Sequence, residues 1–225
     1  MLRISEIYPA VMGESRHSGW PCVIVRLTGC HRRCVYCDTA HAFHGGEQRS
    51  VAEVLAEVER LGQRMVLVTG GEPLLQAPVV DLMQQALARG LAVVLETSGT
   101  VGTRVGLDEV PAGVCRVVDV KTPGSGIPPA QVDWDGLADL GADDEIKLVI
   151  TGAEDYAWAR ALITEGVDVD GRRRRLPAGV PVTLSPGWGD LSARDLAGWV
   201  LADRLPVRFQ IQLHKVVWPE AERGV

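Results

Sequence analysis

Cys30, Cys34 and Cys37 lie in one short stretch, Cys30-His-Arg-Arg-Cys34-Val-Tyr-Cys37, with the spacing C-x3-C-x2-C. Three thiolates so spaced can each anchor one iron of a [4Fe–4S] cubane and leave the fourth iron open to a ligand. Structural zinc instead takes four ligands, commonly from paired C-x2-C units. No second pair follows here, although His31, His41 or His44 could complete such a site. The chain has five cysteines, an odd number that does not suit a disulfide framework. The other two, Cys22 and Cys115, read as buried packing residues, since a free cysteine behaves as a small hydrophobe.

The triad follows an apolar run ending at Thr28, so a strand presents it. A second signature, Thr69-Gly70-Gly71-Glu72-Pro73, ends the next apolar run. Its glycines allow a ligand close to the backbone. Strands are expected at residues 22–28, 65–69, 92–96, 116–120, 145–150, 181–184 and 208–213. Most are near-continuous apolar runs, as in strands buried on both faces of a parallel sheet. Helices alternate with them. Ser50 and Glu53 form a capping box before an apolar stripe that Gly62 ends. Pro78 opens a second helix and Gly90 closes it. Residues 154–163 and 192–201 are further helices. The stretch 167–179, with Arg172 to Arg175, reads as a solvated surface loop.

This alternation predicts an α/β fold with a parallel sheet and right-handed crossovers. A closed eightfold barrel takes about 250 residues. The 225 residues here favour an incomplete, open (β/α) barrel forming a single domain, 1–225. The net charge of −6 argues against a nucleic-acid partner. No apolar run is long enough for a membrane span and no secretory h-region is visible, so a cytoplasmic location is expected.

The triad, Tyr36 just before its last cysteine, the strand before it and Gly-Gly-Glu-Pro together resemble the radical S-adenosylmethionine (SAM) superfamily. An ordered set of segments narrows the resemblance. These are 6–15, Val25-Arg26-Leu27-Thr28-Gly29-Cys30, Cys37-Asp38-Thr39, Glu96-Thr97-Ser98-Gly99, Asp119-Val120-Lys121-Thr122-Pro123-Gly124-Ser125-Gly126 and Gln212-Leu213-His214-Lys215. Across nearly the whole chain they resemble the 7-carboxy-7-deazaguanine synthase family. One departure is Met12, where many relatives carry Gln.

The resemblance implies a radical SAM type of open barrel and conversion of 6-carboxy-5,6,7,8-tetrahydropterin to 7-carboxy-7-deazaguanine, with loss of ammonia, for queuosine and other 7-deazapurines. The cluster and the SAM-derived radical carry the chemistry, so no side chain is expected as a catalytic residue. For SAM it implies Tyr36, Asp38, Gly71, Glu72, Glu96, Asp119, Val120, Lys121, Ser185 and Trp188. For substrate it implies Val11, Met12, Gly13, Glu14, Arg26, Thr69, His214 and the terminal Val225, reached through Arg223 and Gly224. Thr39 matches the family's Mg2+ ligand. A flavodoxin-type electron donor and a homodimer are further family expectations. Two readings compete: a glycyl-radical activating enzyme acting on a protein, and a non-catalytic metal-binding module. Cys30→Ala, Cys34→Ala and Cys37→Ala are each expected to abolish SAM cleavage, because each thiolate anchors a separate iron. Cys22→Ala and Cys115→Ala should retain it. Product analysis by chromatography under anaerobic reduction checks both halves.

Overall fold

The computed structural model describes residues 1–220, 223 and 224. The chain opens with strand β1 (Leu2–Val11), which pairs antiparallel with β2 (Pro21–Leu27). A short strand, β3 (Glu47–Arg49), covers the other side of β1. From there the chain is a β/α alternation: α1 (Val51–Leu61), β4 (Met65–Gly70), α2 (Val79–Ala88), β5 (Ala92–Thr97), β6 (Val114–Asp119), α3 (Trp134–Leu137), β7 (Glu145–Ile150) and α4 (Ala153–Thr164). A hairpin of β8 (Val167–Val169) and β9 (Arg172–Arg174) precedes β10 (Val182–Pro186), α5 (Ala193–Asp203), β11 (Arg208–Phe209) and α6 (Leu213–Val217).

Nine strands form one sheet in the order β11-β10-β7-β6-β5-β4-β2-β1-β3. From β2 to β11 every neighbouring pair is parallel. The sheet ends at β3 and β11 and does not close, which is the open barrel expected of the sequence.

Strand periodicity divides the sheet into two faces. Val23, Val25 and Leu27 of β2, Val66 and Val68 of β4, and Ile146, Leu148 and Ile150 of β7 pack with the helices in the larger core. On the other face Cys22, Ile24, Leu67, Val94 and Val117 form a smaller apolar floor with Met12. Two residues further along the same strands, on the same face, stand Arg26, Thr69, Glu96 and Asp119. The inner face thus changes from apolar to charged within one strand repeat, at the C-terminal ends where α/β enzymes place their sites.

Three expectations are corrected. No strand is expected before residue 22, because Pro9 and the charges of Arg3 and Glu6 obscure the alternation, yet Leu2–Val11 forms β1. The stretch 167–179 contains a hairpin: Val167 and Val169 are buried on either side of exposed Asp168, and Asp170-Gly171 turns with φ of 51° and 74°. An Asp-Gly pair between short strands is the sequence sign of such a turn. The arginines Arg172 and Arg173 are exposed as expected. Of the strand expected at 208–213 only Arg208–Phe209 pairs, and Leu213 begins a short helix.

The capping box at α1 is present. Ser50 Oγ accepts the Glu53 N–H at 3.2 Å, and Glu53 Oε2 accepts the Ser50 N–H at 2.6 Å. Ser50→Ala should cost about 1 kcal/mol. For a chain of this size that lowers Tm by about 2–4 °C, with activity unchanged, as thermal melts paired with turnover would show.

Candidate functional site

A cavity of about 760 Å³ opens at the C-terminal ends of β2, β4, β5, β6 and β7, and Cys30, Cys34 and Cys37 all line it. The loop that carries them is tied down on several sides. Gly29 N–H donates to Ala42 O at 2.8 Å, and Val35 N–H donates to Ser125 O at 3.0 Å. Arg32 donates through Nε to Thr100 Oγ1 at 3.1 Å and through Nη2 to Val101 O at 2.5 Å. The Gly70-Gly71 signature packs directly against this loop. A Cβ on Gly71 would stand 2.3 Å from Gly29 O and 2.8 Å from Cys30 Cβ, so a side chain there would displace the triad. Glu72 N–H donates to Gly29 O at 2.7 Å.

The polar wall of the cavity is organised by Lys147. Its Nζ, on β7, lies 2.9 Å from Glu14 Oε2, bonds to Glu96 Oε1, and is 3.8 Å from Asp119 Oδ2. Lys121 takes the same Asp119 oxygen at 2.7 Å and lies over the Tyr36 ring, 5.5 Å from its centroid. Burial opposes the charge on Lys147, but Glu14, Glu96 and Asp119 hold its pKa well above the ordinary value. Three carboxylates share two ammonium groups, and Lys121 serves only Asp119, so Glu14 and Glu96 depend on Lys147. Burial and the Glu96 charge raise the Glu14 pKa to about 7, against the lowering effect of Lys147. Lys121 is likewise held charged by Asp119 against its burial.

Beside this wall, Arg26 of β2 donates through Nε to Glu6 Oε1 at 2.7 Å and through Nη2 to Tyr8 Oη at 3.0 Å. His41 Nε2 shares that Glu6 oxygen at 3.2 Å. On another side α6 brings His214 onto Gly13, where a Cβ would meet His214 Nδ1 at 1.9 Å. Leu213 N–H donates to Gly13 O at 2.9 Å. Lys215 Nζ pairs with Asp38 Oδ2 at 3.0 Å and lies near the Trp188 ring. That pair lowers the Asp38 pKa in spite of burial.

Most residues singled out from the sequence meet in this cavity. Val11, Met12, Gly13, Glu14, Arg26, Tyr36, Asp38, Thr39, Thr69, Gly71, Glu96, Asp119, Lys121, Trp188 and His214 all line it. Three others do not. Val120 is fully buried in the larger core. Ser185 is buried on β10 behind the lining. Glu72 is also fully buried, and its carboxylate accepts Leu74 N–H, Thr97 Oγ1–H, Ser98 N–H and Ser98 Oγ–H at 2.6–3.0 Å. Saturated in this way, the Glu72 carboxylate ties the β4 turn to the end of β5. Val225 lies outside the described residues.

Sequence reasoning missed Lys147, Glu6, Tyr8 and Lys215. Lys147 had a signal, a lone cation in the apolar run Glu145-Ile-Lys-Leu-Val-Ile. Glu6 and Tyr8 had none beyond their parity on β1, where Glu6 is the register partner of Arg26.

The site fits a cluster and a polar ligand beside it. Among the described residues no three His, Cys, Asp or Glu side chains converge to hold a single metal ion. Glu14 Oε1, Asp119 Oδ1 and Tyr36 Oη are buried without a hydrogen-bond partner. Buried polar atoms are normally satisfied, and all three residues line the cavity.

Residues 24–119 match the radical SAM superfamily. The 7-carboxy-7-deazaguanine synthase of Chlorobaculum tepidum is 38% identical, with 100% of this chain and 97% of that protein covered. The synthase of the same name from Koribacter versatilis is 39% identical, with both chains covered in full. This chain belongs to the 7-carboxy-7-deazaguanine synthase family. It is accordingly a radical SAM lyase that works with a [4Fe–4S] cluster and SAM. Its family membership removes the glycyl-radical activating and non-catalytic readings. The crystal structure of QueE from Escherichia coli shares the fold, with a TM-score of 0.69 at 23% identity over 95% of this chain and 94% of that one. Among the described residues no helix is long and apolar enough to cross a membrane.

Glu14 gives the ligand-free protein a pH signature. A carboxyl raised from 4.5 to about 7 by folding contributes stability that is complete below pH 4.5 and lost as pH rises through 7. The unfolding free energy from urea titrations across that window should therefore fall with rising pH, by no more than about 1.4 kcal/mol per pH unit for one proton. Glu14→Gln should flatten the fall.

Proposed function

We propose that this cavity carries out the ring contraction of 6-carboxy-5,6,7,8-tetrahydropterin to 7-carboxy-7-deazaguanine, with loss of ammonia. The supporting observation is that the cysteine triad, a held guanidinium and a wall of carboxylates open onto one cavity. The proposed substrate has matching ends, an anionic carboxylate and an amino-pyrimidine edge rich in N–H donors. Arg26, held by Glu6 and Tyr8, receives the carboxylate as a planar partner. Glu14, Thr69 and His214 take polar positions on the pterin. Tyr36, Asp38, Gly71, Glu96, Asp119, Lys121 and Trp188 hold SAM. Cys30, Cys34 and Cys37 would hold a [4Fe–4S] cluster, which would supply the electron for reductive cleavage of SAM at its 5′ carbon. The protein's contribution is to hold one C–H against that carbon, the positioning that gives intramolecular reactions their advantage.

Thr39 would offer its hydroxyl to a Mg2+ ion, a hard cation that takes oxygen ligands. The Thr39 hydroxyl is 3.8 Å from Cys37 Sγ, beside the triad. Arg223 lines the cavity, which favours a role for this segment beside the substrate. A flavodoxin-type donor, a homodimer, a cytoplasmic location and a single domain spanning 1–225 complete the proposal from family resemblance.

An anaerobic assay of the reconstituted chain with SAM, reductant and 6-carboxytetrahydropterin, read by absorbance and mass, tests the reaction. Absence of the deazaguanine product would refute it. In the same assay Arg26→Lys should weaken substrate affinity by about 1–3 kcal/mol while leaving SAM affinity near its original value. Lysine keeps the charge but loses the two-pronged fit. Mg2+ should raise turnover, and Thr39→Ala should blunt the response. Turnover indifferent to chelator would remove the metal from the scheme. Deletion of the last three residues should weaken substrate binding, and unchanged affinity would exclude the tail.

A further inference from the structure

Lys147 stands between the two halves of the cavity assigned above, and no ligand role was given to it. One side chain joins Glu14, on the loop after β1, to Glu96, at the end of β5. These two carboxylates belong to different ligands in the proposed reading, Glu14 to the pterin and Glu96 to SAM. The lysine occupies only one oxygen of Glu14, and Glu14 Oε1 is left buried and unpartnered. Asp119 repeats the pattern: Oδ2 is shared by Lys121 and Lys147, while Oδ1 is buried and unpartnered. Each carboxylate is thus half satisfied by a lysine and half open.

We propose that Lys147 is a positioning residue that couples the two half-sites, so that SAM bound at Glu96 tightens binding of the pterin at Glu14, and the pterin tightens SAM equally. This inference rests on the proposed division of the cavity between the two ligands. The physical argument is charge sharing in a low-dielectric wall. Without ligand, one ammonium serves Glu14 and Glu96 while their charges repel each other. Hydroxyl donors brought to Glu96 disperse its charge, which weakens that repulsion and frees the ammonium to settle on Glu14. A fully charged Glu14 with its ammonium close is then a stronger acceptor for the N–H edge of the pterin. The raised pKa of empty Glu14, which burial and Glu96 cause, agrees with a carboxylate short of compensation. Reciprocity follows from linkage, since a coupling free energy is common to both ligands.

The test measures binding without turnover. Cluster-loaded protein, kept anaerobic and without reductant, is titrated with 6-carboxytetrahydropterin in the absence and presence of saturating SAM by calorimetry. The wild-type protein is expected to bind the pterin at least about fivefold more tightly with SAM present. In Lys147→Met the ratio should fall to about one. Lys147→Arg, which keeps a cation within reach of both carboxylates, should restore part of it. A purely structural role for Lys147 would weaken both ligands and leave the ratio unchanged, and that result would overturn the inference. An absence of coupling in the wild type would overturn it too. Glu14→Gln and Glu96→Gln separate this failure from failure of the site reading. The first should weaken the pterin chiefly and the second SAM chiefly, and each should reduce the ratio without depending on the fold of the lysine variants. If neither variant affects its own ligand, the division of the cavity is wrong and the inference falls with it. If each does, while the ratio persists in all variants, only the coupling through Lys147 is excluded.

Discussion

Lys147 carries an ammonium into a wall of apolar strands with 5% of its side chain exposed. An isolated ion in that position would lose several kcal/mol of hydration. The neighbouring geometry answers that constraint. Glu14 arrives from the loop after β1, Glu96 from the end of β5 and Asp119 from the end of β6. These elements are far apart in sequence and meet only when β5, β6 and β7 are in register. Breaking the ensemble by removing one partner would leave unpaired charge in a poor dielectric. The cation therefore fixes the relative positions of the groups that face the ligands.

The same logic explains why charge appears only at one level of the sheet. Ile24, Leu67, Val94 and Val117 fill the inner face below and exclude water there. Two residues on, Arg26, Thr69, Glu96 and Asp119 occupy the rim, and each charged member has a partner. Arg26 is balanced by Glu6, its register partner across the antiparallel β1–β2 pair. β1 thus has a functional reason to sit beside the parallel strands. It covers their edge and supplies Glu6 and Tyr8 from one face, two residues apart.

Much of this was legible because it is local. Thiol spacing, the Ser50–Glu53 box, the Pro78 and Gly90 boundaries and the continuous apolar runs all depend on neighbours within a few residues. What escaped depends on distant partners. Glu72 stands in a glycine-rich turn and reads as a ligand, but its oxygens are taken by Thr97 and Ser98, which the register of β4 and β5 brings beside it. The run from Arg208 has strand composition throughout, yet its pairing ends at Phe209 and α6 starts soon after. The β8–β9 hairpin was hidden by four arginines, although its Val-Asp-Val alternation and Asp-Gly turn were present.

Gly13 and Gly71 show how the two ends of this cavity are closed by the absence of side chains. At Gly71 the missing Cβ admits the triad loop, and at Gly13 it admits His214. Neither glycine has a left-handed backbone that would demand the residue. The requirement is one of approach, from a segment 42 residues earlier in one case and some two hundred later in the other. His214 is partly buried there, and desolvation lowers its pKa so that the neutral ring is favoured. A neutral imidazole beside Lys147 and Lys215 adds no positive charge to a wall that already balances its ammonium groups against carboxylates. It also leaves a ring nitrogen able to accept a hydrogen bond, a property that a lysine or arginine at the same point would lack. The close contact at Gly13 thus links the first loop of the chain to its last helix and sets the polarity of the cavity mouth.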